Sequence, residues 1–381
     1  MVELLGQISH IPIIFGHRNT SFVHKATLIF ILLLPAYIKA QKTAGMIDGP
    51  RGKIGFYQYL PPDYTSSGGK SPLIIFLHGI GEKGTGSPED LKKLDCCGIP
   101  KYLRLGHTMQ FTWLGKKEGF VVLCPQLYSR YGTWENYYVD EMIKFAKQNL
   151  NIDTNRIFLT GLSLGGGGTW VYASSSVNHG KQLAGLVPVV SPCFMTNGCN
   201  IANANLPVLA IHAMNDDKAS PLCTINAINS INNCGATVHP NLVMYANGGH
   251  YVWVSRAYDT AYNYFNPNIY EWMLAQNRTN KPNLKPVADA GDDVTISAAN
   301  GSVTLNGKQS KDADGKIIRY LWQKVAGPAH GLISGEVTAT PQLRGLHYPG
   351  VYTYQLRVVD DKAEWSSDHI TVTVLDGNVL N

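Results

Sequence analysis

The chain has 381 residues, a length that predicts two or three domains. Hydrophobic residues make up 44% of it, which is enough for a large core and excludes general disorder. The formal net charge is only +5 and no long basic run accompanies it, so nucleic acid is not expected as a partner.

The first 40 residues have the features of an export signal. Lys25 precedes the apolar run 28–34, and the small residue Ala40 follows it. A positive residue, a short apolar run and a small residue at the exit are typical of a secretory signal peptide, and the run is too short for stable membrane insertion. We therefore expect a secreted or periplasmic protein cleaved after Ala40. Residues 1–22 fit this pattern poorly, which favours a translation start near Val23.

Between residues 41 and 276, apolar runs alternate with helical patterns. The runs, which suit strands buried on both faces of a parallel sheet, are residues 72–77, 120–123, 157–159, 186–190 and 208–211. One face of a helix is indicated by the spacing of Val139, Met142, Ile143, Ala146 and Leu150. The alternation predicts an α/β domain, a doubly wound and mostly parallel sheet with helices on both sides.

The composition changes after residue 276. Residues 277–286 are polar with two prolines, which is typical of a linker. From 287 to 376 only short alternating strands remain, as around Tyr320 and Trp322, with turn signals between them. We therefore predict a small all-β sandwich of about 90 residues after the linker.

A candidate nucleophile lies between a predicted strand and a predicted helix. The segment Gly161-Leu162-Ser163-Leu164-Gly165 has the Gly-x-Ser-x-Gly pattern. In this context the pattern is the nucleophile elbow, whose strained turn needs the glycines and pushes the hydroxyl out at the carboxyl edge of the sheet. Ser163 is therefore the predicted nucleophile.

A serine nucleophile needs a general base and an orienting carboxylate, which on this fold follow in the order acid, then histidine. Asp216 comes just after the predicted strand 206–211. Its place in this order favours it over Asp217, although the sequence leaves open which of these two neighbouring residues is the acid.

The predicted base is His250, which follows two glycines after the predicted strand 241–245. The glycines allow the loop to bring the ring toward the serine. His239 precedes that strand and would lie at the wrong edge of the sheet. His212 lies in the strand exit and is predicted to be structural.

The oxyanion of such a reaction needs two backbone N–H donors. The predicted donors are Leu164, directly after the nucleophile, and Ile80 in the glycine-containing loop 78–84. That loop lacks the Gly-Lys-Ser/Thr ending of a phosphate-binding loop, so nucleotide binding is disfavoured. Trp253, close after the base, is a candidate substrate contact, with core packing as the alternative.

Seven cysteines occur, all before residue 235. An exported chain permits disulfides, and we expect the local pairs Cys193–Cys199 and Cys223–Cys234, with at least one thiol free. No zinc-like spacing is present, so neither a metal nor another cofactor is expected.

Four segments together resemble the α/β-hydrolase superfamily. They are Leu77-His78-Gly79-Ile80-Gly81, Gly161-Leu162-Ser163-Leu164-Gly165-Gly166, His212-Ala213-Met214-Asn215-Asp216 and Gly248-Gly249-His250. Within it, they look like the secreted carboxylesterase, dienelactone-hydrolase-like and polyhydroxybutyrate-depolymerase-like group. The resemblance covers about residues 53 to 276, and Ala213 departs from the glycine of many relatives. It implies a serine hydrolase fold and mechanism but no particular substrate.

The C-terminal part resembles a PKD-type immunoglobulin-like domain. The matching segments are 288–291, 312–315, 320–322 and 352–360. Such modules usually act as spacers or weak polymer binders in exported bacterial enzymes. Asp312 and Asp314 could bind calcium, but turn formation is favoured.

These features predict a secreted serine ester hydrolase that acts through an acyl-enzyme. The resemblance and the export signal suggest a polymer-linked ester substrate, such as acetyl or feruloyl esters on polysaccharide, which would make the chain a carbohydrate esterase. Two alternatives stay open, a serine peptidase with the same triad and a non-catalytic polymer-binding or adhesion protein. The sequence does not indicate the oligomeric state.

Overall fold

The computed structural model describes residues 41–260 and 267–376. The predicted signal peptide at residues 1–40, and the start near Val23, lie outside the described residues. Within the described ranges, no helix combines the length and the apolar character that crossing a membrane would require.

The N-terminal part alternates strands and helices. Its strands are β1 (Gln41–Gly49), β2 (Gly52–Leu60), β3 (Ser71–Leu77), β4 (Gln110–Trp113), β5 (Lys116–Gly119), β6 (Val121–Pro125), β7 (Ile152–Leu162), β8 (Gly185–Val189), β9 (Leu209–Ala213) and β10 (Asn241–Tyr245). Its helices are α1 (Pro88–Leu91), α2 (Gly98–Arg104), α3 (Asn136–Asn149), α4 (Leu164–Ser175), α5 (Val177–Gly180), α6 (Gly198–Asn203), α7 (Pro221–Asn232), α8 (Gly249–Arg256) and α9 (Ile269–Ala275). Two 3₁₀ turns cover Ile80–Glu82 and Lys92–Cys96.

One eight-stranded sheet organises this part, in the order β1-β2-β6-β3-β7-β8-β9-β10. The β1–β2 and β2–β6 pairs are antiparallel, and every later pair is parallel. Residues of β3, β6, β8 and β9 are all buried, as the continuous apolar runs predicted. The predicted α/β fold, a mostly parallel sheet, is confirmed.

Helices cover both faces of the sheet and create two cores. On one face, α3 packs Val139 and Met142 against the sheet, and α4 adds Trp170. On the other face, α2 contributes Tyr102 and α9 contributes Trp272. The sheet is therefore shielded on both sides, which leaves the strand ends as the places where loops can form a site.

The C-terminal part is a small sandwich of two sheets. Its strands are β11 (Val294–Ser297), β12 (Gly301–Thr304), β13 (Ile317–Ala326), β14 (Leu332–Ser334), β15 (Gln342–Leu346), β16 (Gly350–Asp360) and β17 (Trp365–Leu375). The sheets have the orders β11-β17-β16-β13 and β12-β15-β14. Trp322, Tyr352 and Tyr354 are buried between them. The all-β sandwich predicted from the alternating pattern is confirmed.

Charged and amide side chains join the sandwich to the α/β part. Arg319 donates two hydrogen bonds of 3.0 Å to the carboxylate of Glu271, which lies on α9. Asn241 Nδ2, at the start of β10, lies 2.6 and 2.8 Å from the two oxygens of Glu364. Within segment 277–286, Lys285 Nζ donates to Asn241 Oδ1 at 2.7 Å. The two parts therefore share a hydrogen-bonded interface.

The disulfide pairing differs from the expected one. Cys193 bonds to Cys223, and Cys199 bonds to Cys234, across sequence separations of 30 and 35 residues. The local pairs were wrong because α6 packs beside α7, so the cysteines near α6 meet those at the two ends of α7. The remaining thiols, Cys96, Cys97 and Cys124, are free.

Candidate active site

Ser163 occupies a strained turn between β7 and α4. Its backbone has φ 52° and ψ −120°, a conformation that residues other than glycine rarely adopt. Two hydrogen bonds of 3.0 Å hold it, from the Ser163 N–H to Val189 O and from the Gly167 N–H to Ser163 O. The turn exposes the hydroxyl at the carboxyl edge of the parallel sheet.

The two glycines of the motif are required by close backbone contacts. A Cβ on Gly165 would lie 2.0 Å from the carbonyl oxygen of Leu77, at the end of β3. A Cβ on Gly161 would lie 2.5 Å from the oxygen of Gly165. Helix α4 therefore approaches the sheet closely only because neither position has a side chain.

The serine, a histidine and an aspartate form one hydrogen-bonded chain. Ser163 Oγ lies 2.9 Å from His250 Nε2, and His250 Nδ1 lies 2.8 Å from Asp216 Oδ2. His250 and Asp216 are buried, at 6% and 8% exposure. Asp217, the alternative acid, instead pairs with Lys218 at 2.9 Å. The structure thus brings together the three side chains that the strand order predicted.

Backbone donors hold the aspartate in place. Asp216 Oδ1 accepts the N–H groups of Lys218 and Ala219, both at 2.9 Å. The other carboxylate oxygen, Oδ2, remains directed at His250. Because both oxygens are engaged, the carboxylate cannot rotate without losing hydrogen bonds.

His212, predicted to be structural, also contacts this aspartate. Its Nε2 lies 3.2 Å from Asp216 Oδ2 and 3.0 Å from Ala219 O, and its Nδ1 lies 2.7 Å from Thr224 Oγ1. Burial is the main cause that lowers the pKa of His212, which favours the neutral ring. The sequence signal for this contact was the four-residue spacing from His212 to Asp216 at a strand exit.

The loop after β3 lies next to the serine. A Cβ on Gly79 would be 3.6 Å from Ser163 Cβ, and Ile80 follows directly with its side chain 64% exposed. Buried His78 anchors the loop, since its Nε2 accepts the Leu127 N–H at 2.9 Å and its Nδ1 lies 2.6 Å from Gly79 O. Leu164 begins α4 immediately after the serine. Both predicted N–H donors thus belong to segments adjoining Ser163.

Glu82, Cys96 and Cys97 are close enough together to be considered as metal ligands. Cys96 Sγ lies 3.2 Å from Glu82 Oε1 and 2.6 Å from Cys97 Sγ. Two thiolates on one tetrahedral zinc ion are about 3.8 Å apart, given Zn–S bonds of about 2.3 Å. The arrangement therefore does not fit a zinc site.

Burial opposes ionisation of Glu82, yet the hydrogen bond with Cys96 and the neighbouring His78, whose Nδ1 lies 3.7 Å from Oε2, outweigh it and lower the pKa of this carboxyl. Glu82 is the last residue of the 3₁₀ turn that begins at Ile80. Its contacts therefore connect the loop beside Ser163 to the segment that contains the free thiols Cys96 and Cys97.

Trp253, predicted as a candidate substrate contact, packs in the core instead. It is only 3% exposed, its indole stacks on Tyr245 with ring centroids 3.6 Å apart, and its Nε1 donates to Asn247 O at 2.9 Å. It lies one turn after His250 on the buried side of α8, where its indole packs on Tyr245 of β10.

Comparison with known proteins gives separate matches for the two parts. Residues 290–374 match a family whose members are described as PKD domains. The chain is 29% identical over 155 residues, 39% of its length, to a bifunctional acetylxylan esterase/xylanase of Neocallimastix patriciarum, of which the match covers 19%. It is 37% identical over 108 residues, 28% of its length, to the human dyslexia-associated protein KIAA0319, of which the match covers 10%. The chain thus spans less than a fifth of either relative.

Among solved structures, one similar chain is a thermostable esterase. The TM-score is 0.46 with 22% identity, and the match covers 62% of this chain and 63% of that one. The fold assignment depends on features of the chain itself, namely the sheet order and the strand–serine–helix turn. The chain therefore combines a domain of the α/β-hydrolase fold with a C-terminal PKD domain.

Proposed function

We propose that the chain is a secreted serine ester hydrolase that cleaves carboxylic esters through an acyl-enzyme. The observation that carries this proposal is the hydrogen-bonded chain from Ser163 Oγ through His250 to Asp216, with distances of 2.9 and 2.8 Å. We further propose that residues 1–40 are the signal region, 41–276 the catalytic domain, 277–286 the linker and 287–376 the sandwich domain.

In the proposed mechanism, Ser163 Oγ attacks the ester carbonyl carbon while His250 Nε2 takes the hydroxyl proton. The tetrahedral intermediate collapses, the C–O bond to the alcohol breaks, and His250 returns the proton to the leaving alcohol. Water then attacks the acyl-enzyme with the same base, which releases the acid and restores Ser163. Asp216 orients the ring and stabilises the imidazolium that forms in each half-reaction.

The oxyanion is proposed to bind the N–H groups of Leu164 and Ile80. Leu164 is the first residue of the 12-residue helix α4, whose N-terminal end carries a partial positive charge. Each such donor typically contributes about 3–4 kcal/mol to transition-state stabilisation. Both donors are main-chain groups, so their effect depends on the conformation of their loops and not on their side chains.

The proposed substrates are acyl esters on a polysaccharide, such as acetyl or feruloyl groups. The similarity to a protein named acetylxylan esterase/xylanase supports this class. Two disulfides, at Cys193–Cys223 and Cys199–Cys234, support export, because such bonds persist in oxidising compartments.

The test compares the native chain with Ser163→Ala on short aryl esters. We expect kcat to fall by about 10⁶-fold, as in other triads, while circular dichroism stays native. Ser67→Ala, at an exposed loop serine, is the matched control and should keep full activity. A fluorophosphonate should label the native chain at Ser163. Turnover by Ser163→Ala, or a folded native chain that resists labelling, would contradict the proposal and favour a binding protein.

A comparison of substrates distinguishes the ester hydrolase from the alternative, a serine peptidase with the same triad. Aryl esters and peptide anilides with matched acyl groups are given to the same enzyme preparation. We expect ester cleavage to dominate in kcat/KM, and a preference for the anilides would assign the same triad to peptide hydrolysis.

A further inference from the structure

A groove lined by tyrosines and arginines adjoins the loop beside Ser163. It encloses about 330 Å³, within the roughly 300–1,000 Å³ of small-ligand sites. We call it the tyrosine groove, and its principal residues are Arg51, Lys53, Tyr128, Arg130, Tyr131 and Tyr137. None of them takes part in the proposed hydrolysis, so the groove has no role in the mechanism described above.

The aromatic rings of the groove are held in fixed positions. The Tyr128 N–H donates to the hydroxyl of buried Tyr138 at 3.1 Å, and Tyr137 stacks on Tyr138 with ring centroids 4.6 Å apart. Tyr131 meets Tyr138 edge to face at 6.4 Å. The rings of Tyr131 and Tyr137 therefore pack on Tyr138 of α3, with the backbone of Tyr128 fixed beside them, and these rings can offer their faces to a ligand at little cost in conformational entropy.

The cations of the groove differ in their partners. Arg51 is paired with Glu135 at 2.7 Å, and Lys53 is paired with Asp48 at 3.3 Å. Arg130 has no carboxylate within 4 Å among the described residues, and its bonds go to the Arg51 carbonyl and the Tyr131 hydroxyl. Its guanidinium carbon lies 4.9 and 5.1 Å from the ring centroids of Tyr128 and Tyr131. The Arg130 guanidinium is therefore available to bind an anion beside the rings of Tyr128 and Tyr131.

The groove is built on the same backbone as the loop next to Ser163. Lys83 Nζ, directly after the 3₁₀ turn that starts at Ile80, donates to Tyr131 O at 3.2 Å. The Ser129 N–H donates to Gly84 O at 2.9 Å, and the Gly84 N–H donates to Leu127 O at 3.0 Å. These bonds join the groove to the loop that supplies the proposed oxyanion donor.

We propose that the tyrosine groove binds a uronic-acid unit of an ester-bearing polysaccharide, with Arg130 on the carboxylate. Aromatic faces pack against the apolar C–H face of a sugar ring, and a guanidinium recognises a carboxylate through two parallel hydrogen bonds. This inference rests on the proposed ester hydrolase and names the acidic polymer as its substrate class.

The test uses Ser163→Ala, so that binding is measured without turnover. Isothermal titration compares xylotriose carrying one glucuronic acid with neutral xylotetraose at low salt. We expect the acidic oligosaccharide to bind at least about tenfold more tightly, with the preference falling as salt screens the charge. Adding Arg130→Gln should abolish this preference. Adding Arg344→Gln, a change in the sandwich where Arg344 bonds only Gln342 among the described residues, should preserve it.

Tyr128→Ala gives an independent test. It should weaken binding of both oligosaccharides, and the acidic one should still bind more tightly than the neutral one. Equal affinity for the two sugars, or an unchanged preference in Arg130→Gln, would overturn the inference. An active esterase without the acidic preference would overturn the inference alone. A chain that has this preference but fails to cleave aryl esters would instead overturn the proposed function.

Discussion

His212 Nε2 lies 3.2 Å from Asp216 Oδ2, the oxygen that also accepts a hydrogen bond from His250. We predict that His212→Asn lowers kcat about tenfold with little change in KM, because Asp216 loses a neighbour that positions it. The acidic limb of the kcat/KM–pH profile should move to higher pH, since the carboxylate charge is then less compensated.

That profile distinguishes a positioning role for His212 from a purely structural one. The matched control is His239→Asn, at an exposed histidine that bonds Asn232 at 3.2 Å. It should reproduce the native profile. An unshifted acidic limb in a folded His212→Asn variant would contradict the prediction.

Gly165→Ala should destabilise the fold. The added Cβ would lie 2.0 Å from Leu77 O, and the backbone of β3 cannot move away without breaking its sheet pairing. We expect a loss of about 3 kcal/mol in the free energy of unfolding, measured by urea titration. Gly69→Ala, where nothing lies within 4 Å, should change it by less than about 0.5 kcal/mol. Equal stability of the two variants would show that the helix has room to shift.

The Cys199–Cys234 disulfide should stabilise the region around α6 and α7. It closes a loop across a separation of 35 residues, for which loop-closure entropy predicts about 4 kcal/mol. The double change Cys199→Ser with Cys234→Ser should lose about this amount in thermal or urea unfolding. Peptide mapping without reduction should recover Cys193 linked to Cys223. A peptide linking Cys193 to Cys199 would contradict the pairing.

Stability should fall as the pH rises through the range set by Glu364. Burial raises the pKa of Glu364 from its ordinary value of 4.5 to about 7. The folded state therefore binds the proton more tightly than the unfolded chain does. The resulting stabilisation is complete below about pH 4.5 and is lost by about pH 7, at a cost of about 3 kcal/mol. Urea unfolding at pH 5 and pH 8 measures the difference.

Glu364→Gln should flatten this dependence, because the neutral amide needs no proton. Part of the slope should remain, since burial also raises the pKa of Asp360, to about 6. Glu336→Gln, at an exposed position of the same sandwich, should leave the slope unchanged. Identical slopes in the Glu364→Gln variant and the native chain would contradict the assignment.

Much of the architecture was predictable because it depends on local patterns. Continuous apolar runs mark strands buried on both faces, and β3, β6, β8 and β9 follow them. The alternation around Trp322 marked the sandwich in the same way. Gly161 and Gly165 revealed the strained turn at Ser163, because only residues without a side chain permit that backbone approach.

Other features needed the folded chain, because they depend on residues distant in sequence. Cys193 pairs with Cys223 and not with nearby Cys199, since the packing of α6 on α7 outweighs sequence proximity. Trp253 lies one helical turn from His250, yet its indole stacks on Tyr245 and is buried in the core.

By itself, the sequence identified Ser163, Asp216 and His250 as candidate site residues, because each follows a recognisable strand end. Only the tertiary structure decided which carboxylate meets the histidine. Whether Asp216 or Asp217 faces the imidazole is a matter of a single residue of register, and contacts across the sheet edge select Asp216. Hydrogen bonds act over about 3 Å, a distance that patterns along a chain do not specify.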